Sequence, residues 1–173
     1  MKPSPTSFPA RLPSWPGRLL AALMVCAAAG AAAQEGPPLS RGQTLYLPIY
    51  SHVYHGNLDR KGQPDKVLLS ALVSIRNTDP KRSMKLTSAR YYNTDGKLLR
   101  EFVPAPRPIG PFGTVELFVE RHDESGGSGA NFMIAWEGEA PMNPPLVEAI
   151  HAFIDGARSA FMTTLGQPLR TSE

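Results

Sequence analysis

The sequence predicts a mainly β protein: an antiparallel, immunoglobulin-like β-sandwich of seven or eight strands, with a possible short C-terminal helix. Two observations indicate this fold class. Short segments in which apolar and polar residues alternate recur from residue 44 to residue 164, and Gly, Pro, Asn and Asp separate them. Such alternation is typical of strands that bury one face, because successive side chains point to opposite sides of a sheet.

The first two predicted strands cover residues 44–54 and 67–77. The first contains Pro48, which cannot donate a backbone hydrogen bond and therefore favours a place at a sheet edge. The second has the most regular aliphatic face of the chain, made by Val67, Leu69, Ala71, Val73 and Ile75. A turn is expected after it at residues 77–80, where Asn, Asp and Pro occur together.

The middle of the chain contains four further predicted strands, at residues 84–92, 98–103, 114–120 and 131–136. Asp95 and Gly96 lie between the first two and favour a hairpin turn, because both tolerate positive φ. The proline-rich residues 104–111 are expected to form a loop, since proline is excluded from the interior of a sheet.

The end of the chain allows two interpretations. Residues 146–154 could form a short helix, with Asn143 as its cap and Pro144 in its first turn. They could also form a strand that turns at Asp155 and Gly156 into a last strand at residues 159–164. The surrounding β pattern favours this hairpin, because a short apolar run does not distinguish strand from helix by itself.

The first 33 residues have the parts of a secretory signal peptide. Three basic residues precede an apolar run at residues 19–33, which is shorter than the roughly 20 residues of a membrane-spanning helix. Cleavage is expected after Ala33. It leaves a flexible lead-in at residues 34–43, a single domain at residues 44–166 and a tail at residues 167–173. The predicted location is therefore the periplasm or the external medium.

Two other interpretations of this segment remain open. The apolar run could be retained as a membrane anchor, although it is short and rich in alanine. A lipoprotein signal would use Cys26 as the acylated residue, but such signals have a small residue before the cysteine, and Val25 stands there.

Removal of the signal changes the charge balance and the chemistry available to the chain. Three of the 18 basic residues leave with it, so 15 remain against 15 acidic residues. A neutral domain lacks the basic surface expected of a nucleic-acid-binding protein. Cys26 is the only cysteine and leaves as well, which excludes cysteine nucleophiles, cysteine zinc sites and disulfides. No cofactor is predicted, and membrane contact is expected only through the signal before cleavage.

Four segments of the mature chain carry a family resemblance: YLPIYSH at residues 46–52, SIRNTD at 74–79, YYNTDGK at 91–97 and SGGSGANF at 125–132. They resemble a bacterial family of exported proteins called Domain of Unknown Function 3124. The resemblance runs from about Leu45 to Thr163. It implies a compact exported domain, and it brings no activity, ligand or catalytic residue.

A stripe of rings on the first strand is the preferred recognition surface: Tyr46, Tyr50, His52 and Tyr54. Their even spacing should place them on the face opposite the aliphatic side chains of the strand. Tyrosine combines flat apolar area with a polar hydroxyl, which suits contact with a protein or a glycan. Burial of both faces of the strand is the competing interpretation.

His52 and His55 are the candidate metal ligands, because histidines three positions apart can chelate an ion on a helix. On a strand, residues three apart point to opposite faces, so a bulge or turn would have to bring these two together. The favoured interpretation is that they are ordinary surface or loop histidines.

The glycine-rich loop is the candidate anion site, formed by Arg121, His122, Ser125, Gly126, Gly127, Ser128 and Gly129. Successive backbone N–H groups in such a loop can converge on a phosphate or carboxylate. A tight hairpin connection, in which glycine supplies positive φ, is the favoured alternative.

Sequence patterns of common hydrolases are missing from the chain. No serine lies in a G-x-S-x-G or S-x-x-K motif, and Asp123 and Glu124 are adjacent in a loop. We therefore expect an exported binding or interaction module, not an enzyme, with an unknown envelope protein or small ligand as its partner. A periplasmic small-ligand or metal-binding protein is the first alternative, and an unrecognised hydrolase is the second.

Overall fold

A computed structural model describes residues 36–170, which form twelve β-strands and no helix. The predicted signal peptide at residues 1–33 and the last three residues of the predicted tail lie outside the described residues. Within that part of the chain, no helix is long and apolar enough to cross a membrane. In chain order the strands are β1 (Ser40–Ile49), β2 (His52–His55), β3 (Asp65–Leu68), β4 (Ser70–Arg76), β5 (Met84–Tyr92), β6 (Leu98–Glu101), β7 (Arg107–Ile109), β8 (Thr114–Val119), β9 (Ala130–Met142), β10 (Leu146–Asp155), β11 (Arg158–Leu165) and β12 (Gln167–Pro168).

Every strand pair is antiparallel, so the mainly β, antiparallel prediction is confirmed. The larger sheet has six strands in the order β12-β1-β9-β5-β6, with β7 also pairing with β5. The smaller sheet has the order β11-β10-β4-β8. A separate two-stranded ribbon is formed by β2 and β3.

One hydrophobic core lies between the two larger sheets, because alternate residues of both supply a single buried cluster. In β1, Leu45, Leu47 and Ile49 are buried, as their alternation predicts. The other large contributors come from both sheets and include Val73, Ile75, Leu86, Tyr91, Leu117, Phe132, Ile134, Trp136 and Val147.

The predicted strand at residues 44–54 is two strands, and the expectation of one continuous strand is wrong. The chain leaves the larger sheet after Ile49, because its next backbone N–H groups have other partners. Tyr50 N–H donates to Nε2 of His151 at 3.1 Å, and Ser51 N–H donates to the carbonyl of Gly127 at 3.2 Å. Short strand β2 then begins at His52.

A matching break divides the predicted strand at residues 67–77 into β3 and β4. Leu69 lies at the break, and its N–H donates to the carbonyl of Ser51 at 2.8 Å. The β2–β3 ribbon therefore lies in chain order between β1 of the larger sheet and β4 of the smaller sheet. It connects the two larger sheets.

Pro48 lies near an edge of the larger sheet but β1 is not its outermost strand. The two-residue strand β12 covers Leu45 and Tyr46 only, and Pro48 faces Asn131 of β9 on the other side. The carbonyl of Pro48 accepts a hydrogen bond from Oγ1 of Thr164 at 2.8 Å. Proline is tolerated here because no β12 residue pairs with it.

The proline-rich segment is not entirely a loop, which corrects the expectation for residues 104–111. Residues Arg107–Ile109 form β7, and Pro108 faces Lys85 of β5. Since β7 pairs with β5 alone among the described strands, its other side needs no backbone donor, and Pro108, which has no N–H, is tolerated. Short pieces of this kind, together with the broken strands, raise the number of strands above the seven or eight predicted.

The last two long strands form the hairpin that the β pattern favoured, and the possible C-terminal helix is wrong. β10 and β11 pair from Glu148 opposite Leu165 to Asp155 opposite Arg158. Gly156 turns the chain with a φ of +55°. β10 also pairs with β4, so its apolar residues are held in a sheet on both sides.

Candidate interaction surface

The smaller sheet has two apolar faces, although only one lies against the core. In β8, Val115, Leu117 and Val119 point inward and are buried. Phe118 lies between the last two, so it points outward, and 55% of its surface is exposed. The outward position of a large ring on this strand is the first sign of a contact surface.

Strand register extends this apolar surface across the sheet. Phe118 of β8 lies opposite Leu72 of β4, and Leu72 lies opposite Ile150 of β10. On the neighbouring strand β11, Phe161 lies opposite Ala152. We define the outer apolar face as Leu72, Phe118, Ile150, Ile154, Phe161 and Leu165.

Much of this face is open to solvent. Phe161 is 65% exposed and Ile154 is 61% exposed, and Leu165 is also exposed. The solvent face of an antiparallel sheet is usually polar. A contiguous apolar patch on a folded domain is typical of a binding surface, whereas single exposed apolar residues need no explanation.

The charged residues of this face are mostly acidic. Glu116 of β8 and Glu120, the residue after this strand, flank Phe118, and Glu148 points outward from β10. Arg76 donates from Nε to Oε1 of Glu148 at 3.1 Å, so its charge is already paired. At the other end of the face, the guanidinium of Arg121 donates to the carbonyl of Ile154 at 3.4 Å. Two carboxylates beside the patch therefore have no cation within ion-pair distance among residues 36–170.

The predicted ring stripe does not share one face. Tyr46 and Tyr50 are half-buried in or just after β1, whereas Tyr54 is 56% exposed on β2. His52 is buried and its ring meets that of Tyr54 edge-on, with 4.9 Å between ring centroids. The break after Ile49 explains the separation, because it turns β2 away from the sheet that holds Tyr46.

His52 and His55 lie at the two ends of β2, His52 buried and His55 exposed, as expected for residues three apart on a strand. They do not converge on one point. Among the described residues, no group of three or more His, Cys, Asp or Glu side chains is placed to hold a metal ion.

His52 forms a hydrogen-bonded chain with its neighbour Ser51. The Ser51 hydroxyl donates to the carbonyl of Gly127 at 3.0 Å, so its single proton is used there. Nδ1 of His52, 3.1 Å from the same hydroxyl, must then be the donor. This pair resembles a nucleophile and base in composition, but Ser51 is 1% exposed and its hydroxyl is held by a structural carbonyl.

The glycine-rich loop is held by internal hydrogen bonds. Gly127 N–H donates to the backbone carbonyl of Glu124, and Gly129 N–H donates to Oγ1 of Thr94 at 3.0 Å. Ser125 N–H donates to Oδ1 of Asp123. Since these three amides already have acceptors, the convergent set that an anion would need is largely used within the protein. Arg121 is directed elsewhere, with its guanidinium 4.9 Å from the ring centroid of Phe153.

Gly126 has a packing role in this loop. A Cβ atom at this position would lie 2.0 Å from the hydroxyl oxygen of Tyr91 and 2.8 Å from Cβ of Ala130. Burial, followed by the negative charge of Asp123, raises the pKa of Tyr91 to about 12. The loop therefore closes over the end of the core, where the ring of Tyr91 stacks on Phe132 with centroids 5.0 Å apart.

A buried polar pair fixes the opposite end of the domain. Nδ2 of Asn77 contacts three carbonyl oxygens, those of Arg82, Ile109 and Gly110. Oδ1 of Asp79 accepts N–H bonds from Lys81 and Arg82, and these bonds lower the pKa of Asp79 despite its burial. The predicted turn at residues 77–80 is thus the point where three loops are joined.

A cleft of about 790 Å³ lies beside this end of the larger sheet. Its charged lining carries both signs: Lys81, Arg82, Lys85, Glu137 and Glu139. The buried carboxylate of Asp79 accepts hydrogen bonds from the backbone N–H groups of the first two, so the backbone on the cationic side of the cleft is held in place.

Sequence reasoning missed the outer apolar face, although two signals for it were present. Phe118 occupies an outward position in a strand whose other outward residues are threonine and glutamate. Residues 146–154 are apolar at positions that alternate to both faces, which indicates a strand with two apolar sides.

The fold and this surface define a class: an all-β domain of antiparallel sheets around one core, with an apolar face left open to solvent. The chain belongs to the family described as "Protein of unknown function (DUF3124)", whose model matches residues 42–169. This match confirms the family that the sequence segments indicated. No curated protein matches the chain. The crystal structure of Thermotoga maritima 1070 is similar, with a TM-score of 0.39 and 15% identity, covering 72% of this chain and 92% of that chain.

Proposed function

We propose that this protein is an exported, immunoglobulin-like β-sandwich that acts by binding another protein through its outer apolar face. The observation that supports a binding function is the exposure of three large side chains on one sheet face, Phe118, Ile154 and Phe161. Burying a side chain of this size contributes roughly 1.5–3 kcal/mol. A partner that covers all three gains part of this amount from each, which helps to offset the free-energy cost of association.

The chemistry of the partner follows from the residues around the face. Glu116 and Glu120 lie beside the patch, and Arg76 is already paired with Glu148. A matching surface is therefore apolar at its centre and carries Lys or Arg at its rim. An anionic lipid surface is disfavoured by the same carboxylates.

Export supports an envelope protein as the partner. The signal-like residues 1–33, with basic residues before a short apolar run, favour delivery of the domain beyond the inner membrane. An interaction module in the periplasm or the medium meets its partner there.

Capture from an envelope extract tests this function. The full chain and a Phe118→Ser/Phe161→Ser variant are immobilised, and bound proteins are quantified by mass spectrometry. Leu58→Ser/Leu98→Ser is the matched control, because it removes two exposed leucines that lie off this face. We expect a protein that the wild type and the control both retain and that the face variant retains about tenfold less. An identical set of proteins on all three would contradict the proposal.

A small-ligand function is the second candidate, favoured by the cleft of about 790 Å³. Its volume lies within the range of ligand pockets, and its two signs of charge suit a zwitterion such as an amino acid or dipeptide. Isothermal titration with a panel of these compounds tests it. Binding heat that is present in the wild type and absent in the Lys85→Ala/Glu137→Ala variant supports a ligand site in the cleft. If no compound produces binding heat, this second function is contradicted.

A further inference from the structure

Strand β8 is an open edge of the smaller sheet. It pairs with β4 through all six of its residues, and no described strand pairs with its other side. The other edge strand, β11, is closed at its end, because Thr164 bonds to Pro48 of β1 and the chain then crosses to the larger sheet. β8 therefore presents a row of unpaired backbone groups next to the outer apolar face.

The outward side chains of β8 and its following residue alternate in a defined way. Glu116, Phe118 and Glu120 lie two residues apart, so they point to the same side of the sheet, with the ring between two carboxylates. A strand laid beside β8 would place its own side chains opposite these three.

Pairing of this edge with a second copy of itself is disfavoured in the register that brings the two rings together. Antiparallel pairing of two β8 strands with Phe118 opposite Phe118 places Glu116 opposite Glu120 at both ends. Like charges directly opposite each other destabilise a strand pair. The carboxylates thus oppose that register and favour a strand of different composition.

We propose that the partner adds an extended segment beside β8, with an apolar side chain opposite Phe118 and Lys or Arg two positions to either side, opposite Glu116 and Glu120. The backbone of β8 supplies affinity through ladder hydrogen bonds, and its alternating side chains supply specificity. This inference rests on the proposed binding function and names the form and chemistry of the bound segment.

Selection from a random dodecapeptide library on the full chain tests the proposal. We expect the enriched peptides to contain basic, apolar and basic residues at alternate positions. The same selection on a Glu116→Lys/Glu120→Lys variant should enrich acidic residues at those positions instead. Asp65→Lys/Asp95→Lys, which changes two exposed carboxylates away from β8, is the matched control and should return the wild-type pattern.

The best peptide is then synthesised with and without methyl groups on alternate backbone nitrogens. Strand addition predicts binding about tenfold weaker when the nitrogens facing β8 are methylated, and slower hydrogen exchange in residues 114–120 when the unmethylated peptide binds. Equal affinity of both peptides overturns strand addition. If those peptides still lose affinity for the Phe118→Ser variant, the proposed binding face survives that result. Enriched peptides without a basic and apolar pattern, or no enrichment, overturn the inference.

Discussion

The backbone N–H of Tyr50 donates to Nε2 of His151, 3.1 Å away, where β1 ends beside β10 of the other sheet. His151 is fully buried, and an accepting Nε2 requires a neutral ring with its proton on Nδ1. Burial lowers the pKa of His151, and the backbone of Met162 opposes that shift only in part. This contact between the two larger sheets therefore depends on the ring being neutral.

Stability should fall in weak acid because of His151. Its pKa in the folded protein lies below the ordinary value of 6.5, so the unfolded chain binds a proton that the folded chain does not. The contribution of His151 to the free energy of unfolding is then constant well above pH 6.5. It decreases as the pH falls below 6.5 towards the lower pKa of the folded state. Urea unfolding between pH 8 and about pH 5 measures this dependence.

The His151→Gln variant separates this effect from other titrations. Glutamine has an oxygen that can accept the N–H of Tyr50 and does not titrate, so the decrease should be smaller than in the wild type. His122→Gln, which changes an exposed histidine, should retain the full decrease. Equal pH dependence in the wild type and His151→Gln would show that His151 is not responsible.

Gly126→Ala should destabilise the protein, because the new Cβ would lie 2.0 Å from the hydroxyl oxygen of Tyr91. Overpacking of this kind costs about 1–3 kcal/mol. Gly110→Ala is the control, since no atom lies within 4 Å of its added Cβ. Tyr91→Phe in the Gly126→Ala background removes the closest atom and should recover part of the loss in chemical denaturation. A loss no larger than that of Gly110→Ala would disprove the close contact.

Asn77→Ala should cost about 2–3 kcal/mol in the free energy of unfolding, because it leaves three carbonyl contacts without their donor. Asn93→Ala is a matched comparison: its side chain accepts two backbone N–H bonds in an exposed hairpin turn. We expect a loss of about 1 kcal/mol or less there, since water can replace those bonds. Equal losses in thermal unfolding would mean that Asn77 does not join the loops.

Substitutions at two adjacent residues of β8 should change the free energy of unfolding by very different amounts. Leu117→Ala removes a buried side chain and should cost about 2–5 kcal/mol. Phe118→Ser removes an exposed one and should change stability by about 0.5 kcal/mol or less. Urea unfolding of the two variants measures the difference. A large loss for Phe118→Ser would place that ring in the core and remove it from the contact surface.

The sequence predicts most strands well because alternation reports which face of a strand is buried. Leu45, Leu47 and Ile49 lie in the core as expected, and Gly96 makes its hairpin turn with a φ of +76°. The strand breaks could not be predicted, because they depend on distant partners. Tyr50 leaves its sheet to meet His151, about a hundred residues along the chain.

The candidate site was predicted less well, for a related reason. Alternation separates two sides of a strand, but it does not say whether a second apolar side meets solvent or another layer. Ile150 and Phe161 are apolar in either case, and their exposure became clear only once β10 and β11 were placed in the sheet. The four rings of the predicted stripe are divided between two strands, because the chain leaves the larger sheet at Tyr50 and Ser51.

Photo-crosslinking in living cells shows whether a partner protein covers the outer apolar face. A benzophenone amino acid replaces Phe118 or Phe161 on the outer apolar face, and Leu58 off it, one position at a time. We expect a covalent adduct with a partner protein from both face positions and none from Leu58. No adduct from either face position, or the same adduct from Leu58, would contradict it.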